Sequence, residues 1–359
     1  MREIKCGKNL NAKVSVPGSK SYSHRMAIAA SLSNGICNIS NMLESDDVSF
    51  TLQALTQLGV SIDKKNNSRI IAGNEGRFDN GPVSIYLGNS GTSMRLLTAV
   101  SALGPGPYEF TGTDRMHERP IGELIAALRR VGVDITTLRG NGCPPVVVRG
   151  GRLGGTKTAI DCGVSSQFLS GLLLMAPCTE NGLEIEVING PVSRPYIEMT
   201  IDIMRRFGIS LDRDGFSIFR VPGKQAYQAG AYQVEPDCSQ AGYFWGAAAV
   251  SGGRVKVLGL NPNTRQGDVR FVELLARMGC IVDHESDGIT VIGGPLQAID
   301  ADMGDMPDLV PTLAVIAAFA SGTTTIRNVA HLRAKESDRL AAAANELNRM
   351  GVKAETTDD

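Results

Sequence analysis

Five times along this chain a helical pattern closes on a hydrophobic residue, a glycine, and then Val, Ile or Cys. The five closures are Leu58-Gly59-Val60, Val131-Gly132-Val133, Phe207-Gly208-Ile209, Met278-Gly279-Cys280 and Met350-Gly351-Val352. Successive glycines lie 73, 76, 71 and 72 residues apart. A beat this regular commits the chain to a repeated architecture. Common solenoid repeats run at roughly 20–50 residues, so units of this length are small folds in their own right.

Each unit can be read through. A first helix is expected over Ser21–Leu32, Thr92–Leu103, Ser166–Met175, Ser239–Val250 and Leu309–Ala320. A glycine-bounded β-rich run follows, as in Gly182-Leu-Glu-Ile-Glu-Val. A polar loop then leads into a second, amphipathic helix such as Ile121–Val131 or Glu198–Phe207, with apolar residues near period 3.6. The closing glycine is the expected residue past a helix C-terminus. A hairpin finishes the unit, with its turn at Asp214-Gly215 in the third copy and Asp287-Gly288 in the fourth. The order is α-β-α-β-β, with an entering strand expected ahead of the first helix. In the fifth copy, Gly351 to Asp359 supplies the first hairpin strand and stops at the turn. The pattern therefore reads as a chain lacking its last segment.

Composition narrows the class of function. A length of 359 residues predicts two domains. Lys plus Arg number 36 against 37 for Asp plus Glu, so no global charge draws the chain to nucleic acid or an anionic membrane. Seven cysteines (Cys6, Cys37, Cys143, Cys162, Cys178, Cys238 and Cys280) are scattered without a Cys-x-x-Cys pair. Together with four histidines lacking metal spacing, they read as reduced thiols and no metal site. The start, Met1 to Gly7, is not a signal peptide. The apolar run Leu309–Ala320 contains Pro311 and is shorter than the ~20 residues of a membrane span. A cytoplasmic location is expected.

Any anion must then be held by local geometry, and three helix entrances offer it. Pro17-Gly18-Ser19-Lys20-Ser21-Tyr22-Ser23-His24-Arg25 joins hydroxyls and two cations at a helix start. Gly88-Asn89-Ser90-Gly91-Thr92 and Gly163-Val164-Ser165-Ser166-Gln167 repeat the arrangement. Free N–H groups and the positive dipole end suit phosphate or carboxylate there. Glu118-Arg119-Pro120, Ser193-Arg194-Pro195-Tyr196 and Lys335-Glu336-Ser337-Asp338-Arg339 each lead into a second helix. Read singly, these are caps and solvated charges, and Glu336 is a helical ion pair with Arg339. Their recurrence suits a ligand with several negative charges, because guanidinium forks and helix N-termini recognise such groups.

Taken in order, these segments resemble the signatures of the EPSP synthase (3-phosphoshikimate 1-carboxyvinyltransferase) family, over essentially the whole chain. The resemblance implies an α/β, two-domain enolpyruvyltransferase-like fold of units of about 70 residues. One domain, 19–235, would hold three units; the other, 1–18 plus 236–359, would hold two, its third missing. It implies two domains closing over substrate, with no metal or organic cofactor. The reaction implied moves the enolpyruvyl group of phosphoenolpyruvate to the 5-hydroxyl of shikimate 3-phosphate, through a tetrahedral intermediate that loses phosphate. The partners implied are these two small molecules, with no nucleic acid or membrane. The form implied is a monomer, completed by a missing C-terminal segment.

Residue by residue, the resemblance assigns Lys20, Ser21 and Arg25 to the acceptor, and Ser165, Ser166 and Gln167 to its phosphate region, with Ser193 and Tyr196 nearby. Asp308 would hold the reacting hydroxyls, and His331 would touch the acceptor. Phosphoenolpyruvate would meet Lys20, Gly91, Arg119, Gln167 and Arg339, with Asn89 and Thr92 in the same loop as Gly91, a position linked to glyphosate. Glu336 would transfer the proton at the methylene carbon, with Lys335, Asp308 and Lys20 assisting. Adding an alcohol across an enol ether needs one group to protonate carbon and another to take the hydroxyl proton.

The chain departs from the family's pattern in three places. His331 stands where many members have Asn, and Glu235-Pro236-Asp237 replaces a more usual Glu-Gly-Asp. The final unit, with its Asp-His-Arg motif and a later Lys, is absent. Two other readings stay open. A UDP-N-acetylglucosamine enolpyruvyltransferase would show Lys-Asn in place of Lys20-Ser21 and commonly a loop cysteine near Met116-His117-Glu118-Arg119. A chain that binds shikimate 3-phosphate without turnover is the other.

Overall fold

The structure is a computed structural model that describes residues 10–150, 153–261 and 263–359. Cys6 and the start of the chain lie outside the described residues.

The helices α1 (Lys20–Ser31), α3 (Gly91–Val100), α5 (Gln167–Met175), α7 (Cys238–Ser251) and α9 (Val310–Ala317) open the five copies. Helices α2 (Asp46–Gln57), α4 (Gly122–Arg130), α6 (Pro195–Arg206), α8 (Phe271–Arg277) and α10 (Arg339–Arg349) close them. Expected and observed bounds differ most, by three residues, at 101–103, a 3-10 turn after α3, at 318–320, past the end of α9, and at the start of α6. The five closing glycines all have positive φ, from 82° to 108°. Only glycine takes that conformation without crowding a Cβ, so the periodic glycine is the price of ending each second helix. Capping side chains start α2 (Ser45), α3 (Ser90), α7 (Asp237) and α10 (Asp338).

Four sheets share one plan. In the second copy, Val83–Tyr86 pairs parallel with Tyr108–Thr111, which pairs antiparallel with the hairpin Ile135–Thr137 and Val146–Val148. The third copy does the same with Lys157–Asp161, Leu183–Asn189 and the hairpin Asp212–Asp214 and Ile218–Val221.

Two copies depart from the expectation that the entering strand immediately precedes its first helix. The first copy takes Ala231–Gln233, from beyond the third copy, beside Ile36–Ser40. The fourth takes Asn11–Ser15, from ahead of α1, beside Arg254–Leu258. The two strands have been exchanged between copies. Where the chain follows this exchange, Ser19 N–H donates to Glu235 O at 2.8 Å and Asp237 N–H to Pro17 O at 2.9 Å.

The fifth copy has only Asp300–Asp302 parallel to Thr325–Arg327. The hairpin strand expected after Gly351 does not form; residues 352–359 are irregular. A strand exists through its ladder, and no described strand pairs with this segment. Its end is held otherwise, with Asp359 accepting from Val329 N–H at 2.9 Å.

Contacts divide the chain into two compact units. The larger holds Lys20–Val234 and Ala334–Ser337; the smaller holds the stretch ending at Ser19, Glu235–Arg333 and Asp338–Asp359. Each has its own apolar core. In the larger unit α3 and α5 pack closely, and α6 packs on α5 and α1. Leu96, Leu97, Leu169 and Leu172 are fully buried there. Each such side chain contributes about 1.5–3 kcal/mol of burial, and Leu172→Ala would cost about 2–5 kcal/mol. In the smaller unit Trp245 of α7 and Phe271 of α8 are buried centres. Among the described residues no helix is long and apolar enough to cross a membrane.

Candidate active site

In the larger unit, the helix entrances gather most of the expected residues. Lys20 opens α1 and its ammonium lies 3.3 Å from Asp47, in the first turn of α2. Ser21 follows, and its carbonyl accepts from Arg25 at 3.0 Å. Arg25 is 1% exposed. Its Nε donates to Thr200 Oγ1 of α6 at 2.8 Å, and a terminal nitrogen reaches Ser170 Oγ of α5 at 3.4 Å. Among the described residues no carboxylate pairs with it. Burial lowers its pKa to about 10, while the nearby Tyr196 and Tyr22 act the other way. Two hydroxyls and a backbone carbonyl meet this buried guanidinium, and its charge can still bind an anion.

Ser165, Ser166 and Ser193 are buried. Ser193 has φ 53°, a left-handed conformation that a serine rarely holds. Tyr196, in the first turn of α6, accepts Thr200 Oγ1 on its carbonyl at 2.8 Å. Gln167, at the start of α5, donates to Thr92 Oγ1 of α3 at 3.0 Å, tying two entrances together.

Arg119 donates to Asn89 O at 2.6 Å and to its Oδ1 at 3.3 Å. A Cβ on Gly91 would collide with both the Arg119 and Arg95 guanidinium groups. Two cations therefore crowd the N-terminus of α3. Arg95 was not singled out from the sequence. It is buried, donates to Pro120 O at 2.9 Å and faces the Phe168 ring at 5.8 Å. Burial lowers its pKa to about 9, with Arg119 adding to the effect. The signal for it was present: it stands one helical turn past Gly91.

The segment carrying Lys335 and Glu336 is gripped by its backbone. Arg115 donates to Lys335 O at 2.9 Å and 3.3 Å, and Asn89 donates to Glu336 O at 3.4 Å. Arg115 also pairs with Glu118 at 2.7 Å. Nothing in the sequence marked Arg115. Glu336 precedes α10, which starts at Arg339, so the two do not share a helix.

The smaller unit holds Asp308, His331 and Arg339. Arg339 donates to Asp308 Oδ1 at 2.7 Å. His331 is buried in the 3-10 turn Ala330–Ala334. Gln266 donates to Pro236 O at 2.9 Å, and Thr264 donates to Glu235 at 2.6 Å, so polar contacts hold the segment that carries the unusual proline.

Chemically, paired guanidinium groups at a helix N-terminus can bind a carboxylate or phosphate, and the Arg25 cluster can bind a second anion. The carboxylates Glu336 and Asp308 can each move a proton.

A model of the family described as EPSP synthase (3-phosphoshikimate 1-carboxyvinyltransferase) matches residues 4–359. The 3-phosphoshikimate 1-carboxyvinyltransferase of Colwellia psychrerythraea is 44% identical over 347 residues, covering 96% of this chain and 82% of the relative. That of a Sulfurovum species is 42% identical over 354 residues, covering 98% and 83%. An EPSP synthase structure from Acinetobacter baumannii superposes with a TM-score of 0.80 at 31% identity, covering 99% of this chain and 81% of that one. The enolpyruvyl transferase NikO from Streptomyces tendae, with a TM-score of 0.67 at 19% identity over 90% of this chain and 76% of that one, is alike in fold.

Proposed function

The chain belongs to the EPSP synthase family, and from that premise we propose how its residues carry the reaction. The family's enzymes are 3-phosphoshikimate 1-carboxyvinyltransferases of the shikimate pathway, and this chain is a transferase of that kind. The observation that carries the site assignment is the crowding of Arg95 and Arg119 around Gly91. It supports a site for phosphoenolpyruvate at the entrance of α3, with Gln167 and Thr92 beside it; the family resemblance adds Lys20 and Arg339 as further cations. Arg25, Ser21, Ser165, Ser166, Ser193, Tyr196 and His331 take shikimate 3-phosphate.

The 5-hydroxyl of the acceptor adds to C2 of phosphoenolpyruvate while Glu336 gives a proton to the methylene carbon. Asp308 orients the hydroxyl and receives its proton. The tetrahedral adduct then expels phosphate as Glu336 takes the methyl proton back, which restores the double bond. Lys335 and Lys20 stabilise the charge that builds on the phosphate. We assign domains 19–235 and 1–18 with 236–359, a monomeric working form and a cytoplasmic location. No observation favours a UDP-N-acetylglucosamine acceptor.

The test is a calorimetric titration with shikimate 3-phosphate, followed by an assay of phosphate release on adding phosphoenolpyruvate. Micromolar binding with release supports the assignment. Binding without release leaves a chain that only holds the acceptor, and no binding by a folded chain overturns the acceptor map.

A further inference from the structure

In the smaller unit three carboxyl groups stand at three helix entrances. Asp237 precedes α7, Asp268 lies in the 3-10 turn Gly267–Arg270 ahead of α8, and Asp308 lies in the turn Pro307–Leu309 ahead of α9. Helix α7 packs against both turns. The three carboxyls differ in what satisfies them. Asp237 accepts the N–H groups of Ser239 at 2.8 Å and Gln240 at 3.1 Å. Asp308 accepts the Arg339 guanidinium at 2.7 Å. Both are provided for as anions.

Asp268 is not. It is 5% exposed, and its Oδ2 takes only the Ser239 hydroxyl, at 2.9 Å. Its Oδ1 is buried with no hydrogen-bond partner among the described residues. Arg270, the cation nearest in sequence, reaches Asp305 at 3.2 Å. A buried carboxylate served by one hydroxyl pays a large desolvation cost, which a proton removes.

We propose that Asp268 is a positioning residue of this cluster: its buried carboxyl carries a proton, so that Asp308 beside it remains an anion paired with Arg339. Burial pushes Asp268 well above the usual Asp range, and Asp308 pushes it further. The Ser239 hydroxyl opposes this, Asp237 adds to the rise, and Arg270 opposes it. The adjacent Cys238 thiol is itself pushed well up by burial and adds no charge at neutral pH. With Asp268 ionised, a second anion would face Asp308, which would then compete for the proton and lose its grip on a hydroxyl. That consequence for acceptor binding rests on the role proposed for Asp308; the protonation of Asp268 does not.

The first test is the infrared difference between the wild-type chain and Asp268→Asn at neutral pH. A protonated-carboxyl C=O band lost in the variant is expected, and a lost carboxylate band overturns the proposal. Should Asp268→Asn fail to fold, Ser239→Ala is expected to displace the same C=O band, and no displacement overturns it equally. The second test follows shikimate 3-phosphate affinity with pH by calorimetry. Wild-type affinity is expected to fall by about tenfold as alkali ionises Asp268, a loss of one pKa unit's worth of interaction. Asp268→Asn should lack that alkaline fall, whereas an unchanged fall removes the positioning role. No acceptor binding at any pH by a chain that still shows the C=O band sinks the reading of Asp308 and leaves the protonation standing.

Discussion

Arg119 donates to the Asn89 carbonyl at 2.6 Å, and this bond holds its guanidinium where any Cβ on Gly91 would strike it. Gly91 is therefore a place where absence of a side chain lets two cations approach one helix entrance. In Gly91→Ala the far ends of Arg119 and Arg95 must move, a change of about 1–3 kcal/mol in an over-packed site. The KM for phosphoenolpyruvate is expected to rise about tenfold, by the same energy scale, with acceptor affinity little altered. Inhibition by glyphosate should weaken as well. Steady-state kinetics against calorimetry of the acceptor separates the two; equal losses would contradict the assignment.

Arg25 offers a second, opposite dissociation. Its removal takes away a buried cation that costs desolvation and, among the described residues, meets hydroxyls and a carbonyl but no carboxylate. Charge-assisted hydrogen bonds are worth about 1.5–3 kcal/mol each, so Arg25→Ala should weaken shikimate 3-phosphate binding at least tenfold. The truncation also empties a buried site, so the ligand-free thermal midpoint should fall as well, and affinity is read at a temperature where the variant is folded. Arg25→Lys keeps the charge and loses the fork, so it should recover only part of the affinity. A large loss of ligand-free stability with affinity intact would make Arg25 a packing residue.

How far the sequence foretold this is uneven, for physical reasons. Gly59, Gly132, Gly208, Gly279 and Gly351 were legible because helix termination is local chemistry written in one residue. The exchange of Asn11–Ser15 and Ala231–Gln233 between copies was not, because strand pairing is non-local and each segment could have paired at home. The expected strand after Gly351 failed for the complementary reason, since local pattern cannot supply a ladder partner. At the site, Arg25 was visible in its motif, but its partners Thr200 and Ser170 are 175 and 145 residues away. The roles of the motif residues came from family resemblance, and spacing alone did not reveal that Arg95 and Arg119 flank Gly91.

A buried chain of hydroxyls links α1, α2 and α3 behind the site. His24 Nδ1 lies 2.7 Å from Thr51 Oγ1, which lies 2.7 Å from Ser93 Oγ, which lies 2.7 Å from Ser90 Oγ. Burial holds the His24 pKa well below its ordinary value, and Lys20 and Arg25 add to this, so the ring is neutral. Thr51→Val breaks the chain in the middle without changing its shape. Leaving buried polar atoms unmet costs about 1–3 kcal/mol, and chemical denaturation should read that loss. A cost near zero would show that the chain stores no stability.

On the smaller unit several large apolar side chains are exposed along two helices, Tyr243 and Phe244 on α7 and Val315 on α9, with Phe319 just beyond. Exposed apolar side chains on two helices that pack together attract apolar probes. The chain as it stands should bind a hydrophobic dye, and Tyr243→Ser with Phe319→Ser should reduce the signal. Stability should stay within about 0.5 kcal/mol, as for other surface changes. An undiminished signal would place the dye elsewhere.

The pH dependence of stability follows from carboxyls shifted in opposite directions. Asp338 is held below its usual range first by the Ala341 N–H, which outweighs desolvation, with Arg333 and the Leu340 N–H also favouring its anion. Its contribution is present above the unfolded-state value and is lost as pH falls through the lower folded value. Asp268 is raised by burial, so between the unfolded and folded values the native state binds more protons. Stability contributed there is complete below the unfolded Asp value and declines as pH rises through the folded value. Asp268→Asn removes that decline. Its urea midpoint should exceed the wild type's at neutral pH, and the gap should close in acid, below the ordinary Asp range. A gap independent of pH would mean that Asn improves packing and that Asp268 does not titrate between the two states.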